Sequence, residues 1–520
     1  MKKIQIYDTT LRDGTQGEGI SLSLNDKLFL AKRLDAFGVN YIEGGWPGSN
    51  PKDMAFFREA KKIRFKHAKV AAFGSTRRAH VKVSNDDQVK MLLDAQTKVI
   101  TIFGKSWDFH VQEVFKTSLK ENLTMIWDTV DFLKSKKRYV IYDAEHFFDG
   151  FHENPEYAIQ TIREAAKAGA DLVCLCDTNG GSAPHQIAVA MKRARKAIRI
   201  PIGIHCHNDG DLAVANSVAA VEHGAIQVQG TINGYGERCG NANLTSIVPV
   251  LQLKLGFRVV SEKKLKELTE LSHYVAEVCN MPIENNQPFT GQSAFAHKGG
   301  VHVNAMMKNR KTYEHINPIL IGNRTRFLVS ELSGKSNVLL KSEELHLGLS
   351  KDKPETRAIL EKIQNLENQG YQFEAAEASF ELLMKKELGK YKKFFKVKKA
   401  EVRTEEIGEG SPRSEASVKL EVDGKETDSI QNGDGPVDAL YKAIAVALVR
   451  FFPVIQEIHL TDYKVRVVNP QDGTAAKVRV FIQFQDKTGN TWTTVGVDQN
   501  IIEASWKALV DAIEYKLLKS

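Results

Sequence analysis

Two histidines carry the most specific chemistry in the chain. His205 and His207 follow a strand-forming apolar run, Ile198, Ile200, Ile202 and Ile204. Side chains alternate faces along a strand, so the two imidazoles point the same way and Cys206 points the other. Two same-face imidazoles at a strand end make half of a metal site. Taken alone, His-x-His is equally compatible with an unliganded surface pair. Other groups must decide it, and several are available. Asp13 can supply a hard carboxylate oxygen, and Asn241 or Glu237 can supply another. A mixed nitrogen and oxygen set suits Zn²⁺, Mn²⁺ or a similar divalent ion with positions left open for substrate.

These residues need a scaffold that brings distant loops together. Short apolar or β-branched runs occur at 4–7, 41–42, 70–73, 99–103, 139–142, 172–176, 200–204 and 226–231. Helical periodicity lies between them, for example at 24–37, 113–133, 155–168, 184–198 and 211–223. Helices at Gly38, Gly169 and Gly224 close on a glycine that leads into the next strand. Eight β-α units in some 260 residues predict an α/β fold of the (β/α)8 TIM-barrel type, with a doubly wound open sheet as the alternative. The polar residues favour the barrel. They cluster after seven of the eight strands: Asp8, Arg12, Asp13 and Gln16; Glu43 and Trp46; Arg77 and Arg78; Asp143, Glu145 and His146; Asp177, Thr178 and Asn179; His205 to Asp209; and Asn233 to Asn241. A barrel puts all these loops on one face, where its active site sits. The glycine-rich 234–240 loop has neither Walker A nor dinucleotide-binding spacing, and reads as backbone passing close to a ligand or metal.

Bulk properties narrow the class. The chain has 520 residues, 42% hydrophobic and 26% charged, enough for two to four domains. No run approaches eighteen consecutive apolar residues, so no membrane span is expected. The N-terminal residues enter a strand pattern with no signal-peptide core. The five cysteines, 174, 176, 206, 239 and 279, show no CxxC spacing, which points to a reducing, cytoplasmic setting. The net charge of +8 is concentrated near 61–64, 192–196 and 385–399. Aromatics do not interleave with these charges, so they read as solvated faces and a lysine-rich connector rather than a nucleic-acid surface.

Three motifs together resemble a known group: Asp8-Thr9-Thr10-Leu11-Arg12-Asp13-Gly14-Thr15-Gln16, His205-x-His207-Asn208-Asp209, and Gly236-Glu237-Arg238-Cys239-Gly240-Asn241-Ala242. They are similar to those of the DRE-TIM metallolyase superfamily, and within it the 2-isopropylmalate, homocitrate and citramalate synthases. The resemblance covers essentially the whole chain. It implies an acyltransferase that converts the acyl group to alkyl on transfer, a Claisen condensation of acetyl-CoA with a 2-oxo acid. The implied metal ligands are Asp13, His205 and His207, with Asn241 as fourth ligand or close neighbour, around a divalent Zn, Mn or Mg ion. Arg12 would stabilise the developing alkoxide, and Thr178, with Asp143, would bind the substrate. Glu145 would lie near the acetyl methyl. The matching stretch after the barrel implies a catalytic His302, with Tyr313 beside it, that the family supplies to a neighbouring protomer. His302 or Glu145, directly or through water, is the base. The segments 16–23, 43–53 and 142–150 resemble the citramalate branch, which uses pyruvate. One or two methylenes of substrate difference are worth only about 1–3 kcal/mol, so the reaction class is better defined than the 2-oxo acid.

The expected domains are a catalytic barrel at 1–265, helical subdomains and a linker at 266–392, and a C-terminal α+β domain at 393–520. Loops are expected at 281–300 and 317–326, and 333–337 is a polar turn without P-loop spacing. The last domain shows an internal repeat: strands near 394–403 and 416–422 then a helix from 434, and strands near 463–468, 477–484 and 491–497 then a helix from 500. The resemblance implies a pseudo-symmetric LeuA-type allosteric and dimerisation domain, homodimeric, that binds an end-product amino acid, isoleucine for the citramalate branch. The leading expectation is therefore a feedback-inhibited citramalate-forming enzyme on a route to isoleucine. 2-Isopropylmalate or homocitrate synthesis is the alternative. A hydroxyacyl-CoA or oxo-acid lyase, or an amino-acid sensor with an inert barrel, is the remote one.

Overall fold

The computed structural model describes residues 2–328, 339, 341–343, 345, 347–350, 354–405 and 413–520. The polar turn expected at 333–337 lies outside the described residues. The chain divides into two compact units, Met1–Phe295 with His315–Thr325, and Ala296–Glu314 with Arg326–Ser520.

The first unit is a closed barrel of eight parallel strands in sequence order. They are β1 (Gln5–Asp8), β2 (Tyr41–Gly45), β3 (Lys69–Ser75), β4 (Val99–Lys105), β5 (Tyr139–Glu145), β6 (Leu172–Asp177), β7 (Ile202–Cys206) and β8 (Gln227–Gly230). β1 and β8 pair directly, which removes both sheet edges. The pleat sorts each strand. Ile6, Ile42, Ile100, Ile102, Val140, Val173, Ile204 and Val228 face outward and are buried against helical residues such as Leu30, Leu34, Ile126, Ile162 and Ile187. The alternate positions face the lumen. Tyr7, Tyr41 and Tyr139 stack there at 5.7 and 6.3 Å between centroids. Ala71, Val99, Ile141, Leu172 and Cys174 fill the space around them. The lumen is therefore a packed core that closes the site from below.

The helices begin and end as local chemistry dictates. Leu24–Phe37 opens on a Ser23–Asp26 capping box and ends on Gly38 at φ 101°, a left-handed geometry that glycine adopts without a Cβ penalty. The helix expected over 113–133 is instead two, Asp108–Glu113 and Leu119–Ser135. Lys116 sits at φ 50°, and the Ser118 side chain accepts the Glu121 N–H at 3.1 Å, starting a new helix.

In the second unit, two three-stranded antiparallel sheets are each followed by a helix. The first is Lys396–Glu405, Arg413–Val422 and Lys425–Gly433, then helix Pro436–Val449. The second is Ile458–Val467, Val478–Asp486 and Thr491–Asp498, then helix Ile501–Lys519. The repeat is more regular than the sequence pattern, because Lys425–Gly433 was not expected as a strand. Its buried positions are Thr427 and Ser429 rather than aliphatics. The signal lies in the turn before it, where Asp423 and Gly424 both take positive φ, 48° and 77°, as a tight hairpin requires. The lysine-rich 385–399 stretch is not a connector throughout. It begins in helix Glu377–Glu387 and ends in strand Lys396–Glu405. Among the described residues no helix is long and apolar enough to cross a membrane.

Candidate metal centre and active site

The turn after β1 is tied to β8. Thr9 donates its backbone N–H to Gly230 O at 2.8 Å, and Thr10 Oγ1 accepts the Ile232 N–H at 2.9 Å. This brings Asp13 across the barrel seam to the end of β7. Asp13 Oδ2 lies 3.4 Å from His205 Nε2, which lies 3.3 Å from His207 Nε2. All three residues are buried, and their ligand atoms fall within 4.8 Å of one another. Cys206 is turned away, buried in the outer apolar layer.

The protonation states suit a cation. Burial pushes both imidazoles down, His207 to about 3, so each is neutral at physiological pH. Burial opposes the charge on Asp13, but the Arg12 guanidinium, with a hydrogen bond from Asn241, outweighs it and holds the carboxyl below its ordinary value. The result is two neutral nitrogens and a carboxylate, the forms that ligate metal. Asn241 stands beside them, its backbone bridged to His207. Its Nδ2 donates to Tyr235 O at 3.1 Å, while its Oδ1 is buried with no hydrogen-bond partner among the described residues. An orphaned buried oxygen beside this triad is what a fourth ligand would present. Glu237, the other oxygen donor considered for strand eight, has a side chain 59% exposed. The loop glycines leave room for Asn241. A Cβ on Gly236 would stand 2.1 Å from Asn241 Nδ2, and one on Gly240 would stand 2.0 Å from Gly234 O.

A cavity of about 220 Å³ opens beside the triad, lined by Arg12, Asp13, Asp143, Glu145, Thr178, His205 and His207 among others. Arg12 donates from Nε to Glu43 Oε1 at 2.6 Å, lies 3.4 Å from Asp13 Oδ1, and rests 3.8 Å over the Phe73 ring. Burial opposes its charge, but Asp13 and Glu43 raise its pKa further. Tyr7 donates to Glu43 Oε2 at 2.8 Å from below. Asp143 accepts from Gln229 Nε2 at 3.1 Å, and burial, then the nearby Glu43, push its carboxyl well up. Glu145 is ion-paired with the buried Lys105, its neighbour across the β4–β5 ladder. Thr178 Oγ1 accepts the His146 N–H at 2.8 Å. The Arg238 guanidinium grips both Asp209 oxygens at 2.7 and 2.9 Å and also donates to Thr178 O at 2.7 Å, joining three strand-end loops.

The eight site residues expected on the barrel thus gather at one end of it. His302 and Tyr313 lie in the second unit, their rings stacked at 4.2 Å between centroids. Sequence reasoning passed over three kinds of residue. Phe73 and Phe103, read only as strand, join Trp46 as cavity walls, with centroids 5.5 to 5.9 Å apart. Lys105 holds Glu145. Gln229 touches both His205 and Asp143. The signal was available: two buried glutamines at 227 and 229 in an otherwise apolar strand must face the lumen.

The HMGL-like family matches residues 3–275, the span of the barrel and its first flanking helices. This chain belongs to the family of HMGL-like enzymes that contains the citramalate and 2-isopropylmalate synthases. Two further family matches follow along it, a homocitrate synthase post-HMGL domain-like region at 289–371 and a LeuA allosteric (dimerisation) domain at 374–517. An (R)-citramalate synthase of Aquifex aeolicus is 54% identical over 520 residues, covering 100% of this chain and 98% of its own. One from Geobacter sulfurreducens is 52% identical over 521 residues, covering 100% and 98%. A 2-isopropylmalate synthase of Methanocaldococcus jannaschii is 31% identical over 520 residues, covering 99% and 95%.

Proposed function

We propose that the chain condenses acetyl-CoA with pyruvate and hydrolyses the resulting thioester to (R)-citramalate and free CoA. The observation that carries the reading is the buried Asp13, His205 and His207 triad opening onto a cavity walled by Trp46, Phe73 and Phe103. The lining combines the polar groups around the triad with an aromatic wall of Trp46, Phe73 and Phe103, against which the short side chain of a 2-oxo acid can pack. Full-length similarity to (R)-citramalate synthases supports the same substrate.

A divalent Zn, Mn or Mg ion would be held by Asp13, His205, His207 and Asn241, and would polarise the ketone and bind the carboxylate of the 2-oxo acid. Arg12 stays cationic between Glu43 and Asp13 and offsets charge developing on the former ketone oxygen. Thr178 and Asp143 orient the carboxylate end. Removal of an acetyl methyl proton falls to Glu145, set at the cavity wall by Lys105, or to His302, with Tyr313 beside it, supplied by a neighbouring protomer. Close positioning matters more to that step than an extreme pKa.

Catalysis is assigned to 1–265, completed by residues of 266–392, with 393–520 as a regulatory and dimerisation domain. Isoleucine is the proposed effector, a homodimer the proposed assembly and the cytoplasm the proposed setting. A CoA-release assay with pyruvate, 2-oxobutyrate, 2-oxoisovalerate and 2-oxoglutarate tests the substrate. Pyruvate should give the highest kcat/KM. Preference for 2-oxoisovalerate would make the chain a 2-isopropylmalate synthase, and turnover without CoA would favour a lyase.

A further inference from the structure

We propose that Gln229 is a positioning residue for the metal centre: it fixes the ring tautomer of His205, leaving Nε2 free to ligate, and ties that choice to Asp143 across the barrel lumen. The proposal rests on the metal-centre reading above and extends it to a residue outside the ligand set.

Register makes the contact unavoidable. His205 on β7 and Gln229 on β8 are ladder partners. Both side chains turn into the lumen, where Gln229 is fully buried. Gln229 Oε1 lies 3.2 Å from His205 Nδ1. The amide's orientation follows from its other end. Nε2 faces two acceptors, Asp143 Oδ1 at 3.1 Å and Gln227 Oε1 at 3.5 Å. Turning the amide over would set its NH2 against His205 and leave its carbonyl facing Gln227 Oε1, with only a protonated Asp143 able to donate to it. With Oε1 held toward the ring, Nδ1 carries the proton and Nε2 carries the lone pair.

The alternative tautomer is a real competitor. Were Nε2 protonated, it would point at Asp13 Oδ2, 3.4 Å away, and the two groups would satisfy each other without a metal. A site left to itself would therefore close on its own hydrogen bond. Gln229 opposes this by offering an acceptor only on the Nδ1 side. Partners that orient ligating histidines in this way typically change metal affinity by 10–100-fold.

The test is a metal titration of the demetallated full-length chain, with Mn²⁺ and separately Zn²⁺ competing against a chromophoric chelator. Gln229→Met keeps the length and burial but removes the hydrogen bonds to His205, Asp143 and Gln227. Gln229→Glu keeps an acceptor at the same place. The expected result is a dissociation constant on the order of 10–100-fold weaker for Gln229→Met and no weaker for Gln229→Glu. Binding by Gln229→Met within about threefold of the unsubstituted chain would overturn the proposal. If Gln229→Met does not fold, Gln229→Glu decides alone: affinity equal or tighter supports the role, and a loss beyond about threefold overturns it. Failure of the unsubstituted chain to bind either metal would instead remove the metal-centre reading itself.

Discussion

At the residue scale, the site is a set of groups whose charges are fixed by burial and by one another. Two imidazoles are kept neutral, a carboxylate is kept ionised, and a guanidinium is held between two acids. His205, His207, Asp13 and Arg12 were legible in the sequence because histidine pairs and acid-base doublets are rare chemical types at strand ends. Phe73 and Phe103 were not, because an aromatic in a strand reads the same whether it faces a core or a substrate. Their role is testable. Phe103→Ala should widen the cavity and raise kcat/KM for 2-oxobutyrate relative to pyruvate by about 10–200-fold, the range a methylene or two can command. An unchanged ratio would remove the aromatic wall from specificity. A second residue-scale consequence concerns pH. Burial pushes the Asp8 carboxyl up to about 7, from an ordinary value of 3.8. Between those limits the folded chain keeps a proton that the unfolded chain has released. Stability therefore falls as pH rises from about 4 to about 7, by an amount on the order of a few kcal/mol. Asp8→Asn cannot ionise and escapes this loss. Its melting temperature relative to the parent should rise across that window, and a pH-independent difference would contradict the assignment.

At the element scale, the strands set position and the loops set chemistry. The barrel was visible from eight apolar runs separated by helical periodicity, since both signals depend only on which faces are buried. Breaks without proline or glycine were harder to see, as at 114–118, where a serine cap restarts the helix. So was the strand Lys425–Gly433, whose buried face is hydroxylic. The loop after β8 shows how backbone serves the centre. Gly240 takes φ 89°, and a Cβ there meets Gly234 O at 2.0 Å. Gly240→Ala should push the loop outward and carry Asn241 with it. The expected outcome is metal affinity and kcat each lowered about tenfold or more, with a melting temperature below the parent's because alanine is strained at this φ. Circular dichroism melts alongside metal titration would check it. A variant with unchanged metal affinity would show that Asn241 is not held in place by this loop.

At the scale of the whole molecule, the tandem sheet-plus-helix repeat matches a LeuA allosteric (dimerisation) domain at 374–517. The repeat was legible as a recurrence of strands and helix, whereas its function came only with the family resemblance. Pattern can announce a duplicated unit without naming what it binds. If this region is the isoleucine sensor, isoleucine should inhibit the full-length enzyme and raise its melting temperature, by mass action on the folded form. Leucine and valine should do so more weakly. Inhibition by leucine instead would move the chain toward the 2-isopropylmalate branch, and no response to any of the three would leave the domain an assembly element.

Everything proposed for the barrel turns on a metal held by Asp13, His205 and His207 that supports condensation of acetyl-CoA with pyruvate. Its most direct test is mass-spectrometric detection of product from those two substrates. The metal-loaded chain, the chelator-treated chain and Asp13→Ala should be compared side by side. The loaded enzyme should give citramalate and free CoA in equal amounts. Chelation should abolish both, metal addition should restore them, and Asp13→Ala should show no recovery. Citramalate formed at full rate by the chelated chain or by Asp13→Ala would contradict it.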